Sequence, residues 1–210
     1  MPDNNSNSNT NARCASDNAI YEDINFCIGS KSLPGTRNHG YYIKRSDIQT
    51  FPRPTGVVTS GQMANVAVIT DNIVPYADKV WKRFDLVPYE NEAKSDNQGS
   101  YGSKTFNNQI TLVLPGTGDK VTGFISELNN DDVVFLIPMS DGQCRLYGNP
   151  NFKVETTISQ TSGKTATDPN TTTIEVSVTD EYATPFYRGQ FTTSEGTFSG
   201  ATDELVTAGE

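Results

Sequence analysis

The chain predicts a mainly β fold of the α+β kind, a β-sandwich or barrel-like domain of about nine strands with one flanking α-helix. Three observations predict it. Beyond Leu114 one segment carries a helical period of about 3.6, and every apolar pattern after it runs at a period of 2. Those alternations are short and separated by clusters of Gly, Pro, Asp, Asn and Ser, as strands joined by turns should be. With 210 residues, 34% of them hydrophobic, the chain can bury one full core, so a single domain is expected.

Residues 1–18 are Asn/Ser-rich without periodicity and are expected to form a flexible N-terminal tail. The start, Met1-Pro2-Asp3-Asn4-Asn5, has neither the basic nor the apolar region of a signal peptide, and no apolar run is long enough to span a bilayer. No membrane partner is therefore expected. The domain is expected over residues 19–189. Within it, residues 20–26 and 40–43 read as short strands around a Leu33-Pro34-Gly35 turn, before the Phe51-Pro52-Arg53-Pro54 break. Residues 66–69 and 79–86 follow as strands. The second alternates Val80, Lys82, Phe84 and Leu86 against Trp81, Arg83 and Asp85, which leaves Lys82 on the apolar side. Residues 87–105 are either a long loop or a β-arm with a polar tip, and a segment of that length is expected to make contacts of its own. Residues 106–114 place Ile110, Leu112 and Leu114 on one strand face.

The helix follows. Val121, Phe124, Ile125 and Leu128 stand at i, i+3, i+4 and i+7, one apolar stripe. Val133, Phe135 and Ile137 alternate with Val134, Leu136 and Pro138, the chain turns at Asp141-Gly142, and Cys144, Leu146 and Gly148 return as the second strand of a hairpin. A second hairpin puts Phe152, Val154, Ile158, Ile174, Val176 and Val178 toward the core. Its other face carries Lys153, Glu155, Thr157, Ser159, Thr173, Glu175, Ser177 and Thr179. Residues 190–210, rich in Gly, Ser and Thr, read as a C-terminal tail or as a strand completed by a neighbour.

Residues suited to chemistry are sparse. The formal net charge of −9 opposes the counterion release that drives tight nucleic-acid binding, though it does not oppose passage of DNA. Cys14, Cys27 and Cys144 are odd in number and far from zinc-ligand spacing, so reduced thiols are expected. His39 is the only histidine and lies in a turn-like segment, where it reads as a polar loop residue. Ser162-Gly163-Lys164-Thr165 imitates the end of a phosphate loop, but Ile158 stands where that loop needs its first glycine. Asn129-Asn130-Asp131-Asp132 and Ser95-Asp96-Asn97-Gln98-Gly99 lack the alternate spacing of a calcium loop, and Glu155 with Glu175 reads as two solvated carboxylates. The expectation is a protein with no catalytic residues, no metal and no cofactor.

Read together, Leu114-Pro115-Gly116-Thr117, the helix through Gly123-Phe124-Ile125, the hairpin Val133-Val134-Phe135-Leu136-Ile137 with Asp141 to Gly148, the loop Thr161-Ser162-Gly163-Lys164 and the segment Pro185-Phe186-Tyr187-Arg188-Gly189 carry a likeness. The chain resembles bacteriophage tail tube proteins, the major tail proteins of tailed phages that infect Bacteroidetes. The likeness covers roughly 75 residues well, against the 100–200 of a typical domain. Weaker support comes from Asp23 to Cys27, Leu33 to Gly35 and Tyr41 to Pro52.

The resemblance implies a virion structural protein, assembled in the bacterial cytoplasm, whose hexameric rings stack into a tube and bind other tail proteins. Double-stranded DNA would pass through the lumen during ejection without specific binding. If each copy gave four strands, a ring would close a barrel of about 24 strands, well past the size at which barrels hold an aqueous channel. Such a ring would carry about −54 formal charges, which favours sliding over sticking. On this reading the polar face from Lys153 to Thr179 faces the lumen, and Glu90, Asn91, Glu92, Lys94, Asp96 and Asn97 of the arm contact the next ring. A terminator, neck or baseplate ring on the same fold is the near alternative. A carbohydrate-binding or adhesion sandwich is the distant one, and it would gather Tyr41, Tyr42, Trp81, Tyr89 and Tyr101 on one exposed surface.

Overall fold

The computed structural model describes residues 22–25, 33–54 and 63–206. The expected tail at 1–18, residues 20, 21 and 26 of the strand expected at 20–26, and Cys14 and Cys27 lie outside these residues, and residues 22–25 belong to no strand.

Along the chain come β1 (His39–Lys44), β2 (Ile48–Thr50), β3 (Val68–Ile69), β4 (Val74–Pro75), β5 (Lys82–Asp85), β6 (Glu92–Gln98) and β7 (Thr105–Pro115). The helix α1 (Asp119–Leu128) precedes β8 (Val133–Pro138), β9 (Cys144–Tyr147), β10 (Glu155–Thr161) and β11 (Thr171–Asp180). The chain ends with β12 (Phe186–Tyr187), β13 (Gln190–Thr193) and β14 (Gly196–Ser199). The fold is mainly β with a single α-helix among the described residues, as expected, and it exceeds the expected strand count because several strands have only two to four residues.

Strand β8 organises the core. All six of its residues are apolar and all six are buried, which requires cover on both faces of its sheet. That sheet has six strands in the order β3-β12-β9-β8-β1-β5. Val133, Phe135 and Ile137 point to one side, where they meet Ile110, Leu112 and Leu114 of β7 and Ile174, Val176 and Val178 of β11. Those strands belong to a second sheet of four strands, ordered β10-β11-β7-β6, so the two sheets form a sandwich. Val134 and Leu136 point to the other side, into a second cluster with Tyr41, Ile69, Trp81, Tyr187 and Phe191. The hairpin β13-β14 and the pair β2-β4 supply parts of that third layer.

Helix α1 has the expected stripe. Leu128 is fully buried, while Val121, Phe124 and Ile125 are half-buried against the first cluster. Asp119 in the first turn suits the positive end of the helix dipole. In the β8–β9 hairpin, Gly142 takes φ +91°, a left-handed turn conformation open to glycine, and the Asp141 carboxylate accepts a bond from the Gln143 backbone N–H at 3.0 Å. Gly40 answers a different need. A Cβ there would lie 2.6 Å from Ile137 Cδ1 and 2.7 Å from Phe84 Cζ, so glycine lets β1 sit between them.

Four expectations are corrected or resolved here. Among the described residues no sheet closes into a barrel. Residues 190–206 are not a tail: β13 and β14 pair with each other, Phe191 and Asp203 are buried, and Phe198 pairs with Leu205. The chain returns on itself because Phe191, Phe198 and Tyr41 make one aromatic layer, with ring centroids 4.8–6.0 Å apart. Phe152 does not reach the core and is 45% exposed. Residues 150–152 are a bend, held in part by the Asn149 side chain accepting the Asn151 N–H at 2.8 Å, so strand alternation cannot extend through them. Residues 87–105 are the β-arm of the two alternatives, with β6 paired along its whole length to β7.

Candidate functional site

Register decides which residues share a face. In the four-stranded sheet Glu155 pairs with Ser177, Thr157 with Glu175 and Ser159 with Thr173. Ser177 in turn pairs with Gln109, Glu175 with Thr111 and Thr179 with Asn107. Residues directly opposite in an antiparallel pair project to the same side, so all the expected strand residues from Glu155 to Thr179 lie on one outward face. Val176, Ile174 and Val178, between them, are buried. Lys153 precedes β10, outside the alternation, and lies beside Glu155, Thr179 and Asn107 at one end of this face.

The face continues further than the sequence indicated. Glu92 pairs with Thr111, Lys94 with Gln109 and Asp96 with Asn107, so these three arm residues point the same way as Glu155 and Glu175. Three of the six arm residues expected at a different surface therefore share this one. It carries Glu92, Asp96, Glu155 and Glu175 against Lys94 and Lys153, a net charge of −2. Lys94 and Asp96 form an ion pair at 2.6 Å, Ser177 donates to Asn107 at 2.7 Å, and Gln98 donates to Thr179 at 3.2 Å. A shallow trough of about 280 Å³ runs between Glu155 and Glu175, floored by small polar side chains.

The other expected arm residues go elsewhere. Glu90 is exposed before the strand begins, and Asn97 lies on the opposite side from Asp96. Asn91 fixes the base of the arm: its side chain donates to the Val87 carbonyl at 2.7 Å and accepts the Val113 N–H at 2.9 Å. The inner side of β6 is also fastened. Ser95 donates to Asn108 Oδ1 at 2.7 Å, Asn108 Oδ1 accepts the Thr184 N–H at 2.9 Å, and Asn108 Nδ2 donates to the Tyr182 carbonyl at 2.9 Å. Asn108 is wholly buried, so the network matters to how β6 sits.

Both edges of this sheet, β6 and β10, are seven residues long and carry no partner strand among the described residues. All seven residues of β6 are exposed. An open edge of that length is a template for another strand.

A second polar constellation is one that the sequence did not reveal. The Asp203 carboxylate is buried and accepts bonds from Arg37 at 2.8 Å, Tyr41 at 3.0 Å and the His39 ring at 2.9 Å. Burial alone would raise this carboxyl, but the bonds from His39, Tyr41 and Arg37 outweigh it and hold the group below the usual carboxylate range. The partners are 162–166 positions apart in the chain, and no local motif announces them. Here His39 opens β1 and is not a loop residue. Burial pushes the neighbouring Cys144 thiol far above its ordinary value, which leaves it protonated and unreactive at neutral pH. These groups fasten the C-terminal segment to β1.

The aromatic residues that a binding platform would gather are dispersed. Tyr41 and Trp81 are in the core and Tyr42 packs against α1 through Phe124, at 4.8 Å between ring centroids. Tyr89 and Tyr101 are fully exposed but flank opposite ends of β7. Among the described residues, no group of His, Cys, Asp and Glu is arranged to hold a metal ion.

In comparisons with known proteins, no family model matches this chain, and no curated protein or solved structure matches it.

Proposed function

We propose that this chain is a bacteriophage tail tube subunit whose four-stranded sheet lines the lumen of a ring. The observation that carries the reading is the form of that sheet: one face buried against the core along β7 and β11, one face polar and net acidic, and both edges open among the described residues. A ring answers these three features at once. Placing copies side by side around an axis brings β6 of one copy to β10 of the next. Because the sheet has an even number of antiparallel strands, that junction is antiparallel too, and the ladder continues unbroken. Closure leaves no edge to aggregate. Six copies would give a wall of about 24 strands, roughly 115 Å around at about 4.8 Å per strand before tilt is added. A channel of that girth admits a DNA duplex.

The inward face would then be made of Thr, Ser, Asn and Gln with sparse carboxylates. Such a wall offers a polyanion few cations to bind and repels it weakly at short range, since screening confines the field to about 8 Å at physiological salt. The protein would act in the virion, assembled in the host cytoplasm, with itself, other tail proteins and passing DNA as its partners. Electron micrographs of the concentrated, purified protein test the reading, with rings or tubes expected. Monomers alone at every concentration would overturn it. The dispersal of Tyr41, Trp81, Tyr89 and Tyr101 weighs against a carbohydrate-binding module.

A further inference from the structure

Strand β9 puts Arg145 and Tyr147 two positions apart on one face, and both wall a recess under the arm strand β6. The recess measures about 170 Å³ and is completed by Ala93, Ser95, Met139 and Thr184. No carboxylate lines it, although the chain carries a net charge of −9.

Arg145 has no counter-ion. Its guanidinium lies over the Phe186 ring, 4.1 Å from the centroid, and Nη1 donates to the Thr184 carbonyl at 3.1 Å. Among the described residues it makes no ion pair and no other hydrogen bond. Stacking occupies the face of the guanidinium and leaves its in-plane donors free. A cation partly withdrawn from water gains most from a partner that is both charged and hydrogen-bonding.

The Tyr147 hydroxyl is a second unanswered donor. Tyr147 is wholly buried, and its hydroxyl finds no hydrogen-bond partner because the Thr184 hydroxyl beside it is engaged with Ser95 at 2.6 Å. Burial pushes its pKa up to about 12 against the opposing pull of the Arg145 charge, so at neutral pH the hydroxyl keeps its proton to donate. A buried polar group left unpaired in this way marks a place for a water or a ligand.

We propose that the recess binds a small carboxylate, its oxygens taken by the free edge of the Arg145 guanidinium and by the Tyr147 hydroxyl. The planar fork of an arginine matches the two oxygens of a carboxylate, and a single cation balances a single negative charge. At about 30 Å³ per water, the volume equals that of about five waters and suits a group the size of acetate. Ala93 and Ser95 are inward residues of β6, so the bound group would sit between β9 and the arm. The site does not depend on the tube reading.

Saturation-transfer NMR on the acetate methyl group tests it with the full chain, whether single or assembled, at fixed ionic strength with chloride as the control. A saturable signal is expected. It should vanish in Arg145→Met, and Tyr147→Phe, which removes one oxygen only, should weaken binding by about tenfold or more with unchanged circular dichroism. Inorganic phosphate, which carries more than one charge at neutral pH, should compete poorly. A signal that never saturates, equal affinity in Tyr147→Phe, or equal competition by phosphate overturns the assignment. None of these results bears on whether the protein forms rings.

Discussion

Asp203 is where a single residue matters most. It adopts φ +57°, a left-handed conformation that Asp tolerates better than most residues, and its buried carboxylate gathers three donors. Arg37 is about one-third exposed, so solvent screens its part of the interaction, and Tyr41 and His39 carry the more buried share. Asp203→Ala should cost about 2–4 kcal/mol, since it strands the Tyr41 hydroxyl and His39 ring without their acceptor. Urea denaturation measures this directly. The acid dependence follows from the lowered carboxyl: its contribution is fully present above the unfolded value near about 3.9 and is lost as pH falls through the folded one. Amide exchange at residues 199–206 should therefore quicken below about pH 4, and in Asp203→Asn that acid step should vanish. The same region shows why sequence alone misjudged the C-terminus. Polar, Gly-rich composition reads as a tail, and the two facts that override it, Phe191 packed on Tyr41 in the second cluster and Asp203 beneath Arg37, are contacts with residues far back in the chain, the latter across 166 positions.

At the scale of elements, legibility tracked how local the cause was. Helix α1, the β8–β9 hairpin and the face of β7 are set by periodicity and turn chemistry within a dozen residues, and each stands where the pattern put it. The outward face of β10 and β11 was equally legible from alternation. The extension of that face over β7 and β6 was not, because it depends on which strands pair and in what register, and the polar arm has no apolar stripe to show its orientation. Phe152 failed for the opposite reason: alternation was carried past the point where the backbone bends. The arm itself is fixed through Asn108. Asn108→Ala removes a buried acceptor shared by Ser95 and the Thr184 N–H, and a donor to the Tyr182 carbonyl, so a loss of about 2–3 kcal/mol is expected. Hydrogen exchange should show β6 amides losing protection before those of β8, whereas uniform loss would mean that the network supports the sandwich as a whole.

For the whole molecule, the tube reading joins a sheet made for continuation to a face made for non-adhesion. Changing Glu155 and Glu175 to Lys adds four positive units to each wall and leaves the strand edges untouched. Assembly should survive, and DNA ejection should slow, most of all at low salt where the Debye length approaches about 30 Å at 0.01 M. Unchanged kinetics at low salt would remove these carboxylates from the channel. The most direct measurement of the central claim is a cryo-electron microscopy map of the assembled protein. The account predicts a continuous antiparallel wall in which β6 of each copy pairs with β10 of its neighbour, with Glu92, Asp96, Glu155 and Glu175 facing the lumen. A ring whose inner wall is any other sheet, or one with these four carboxylates on its exterior, would contradict it.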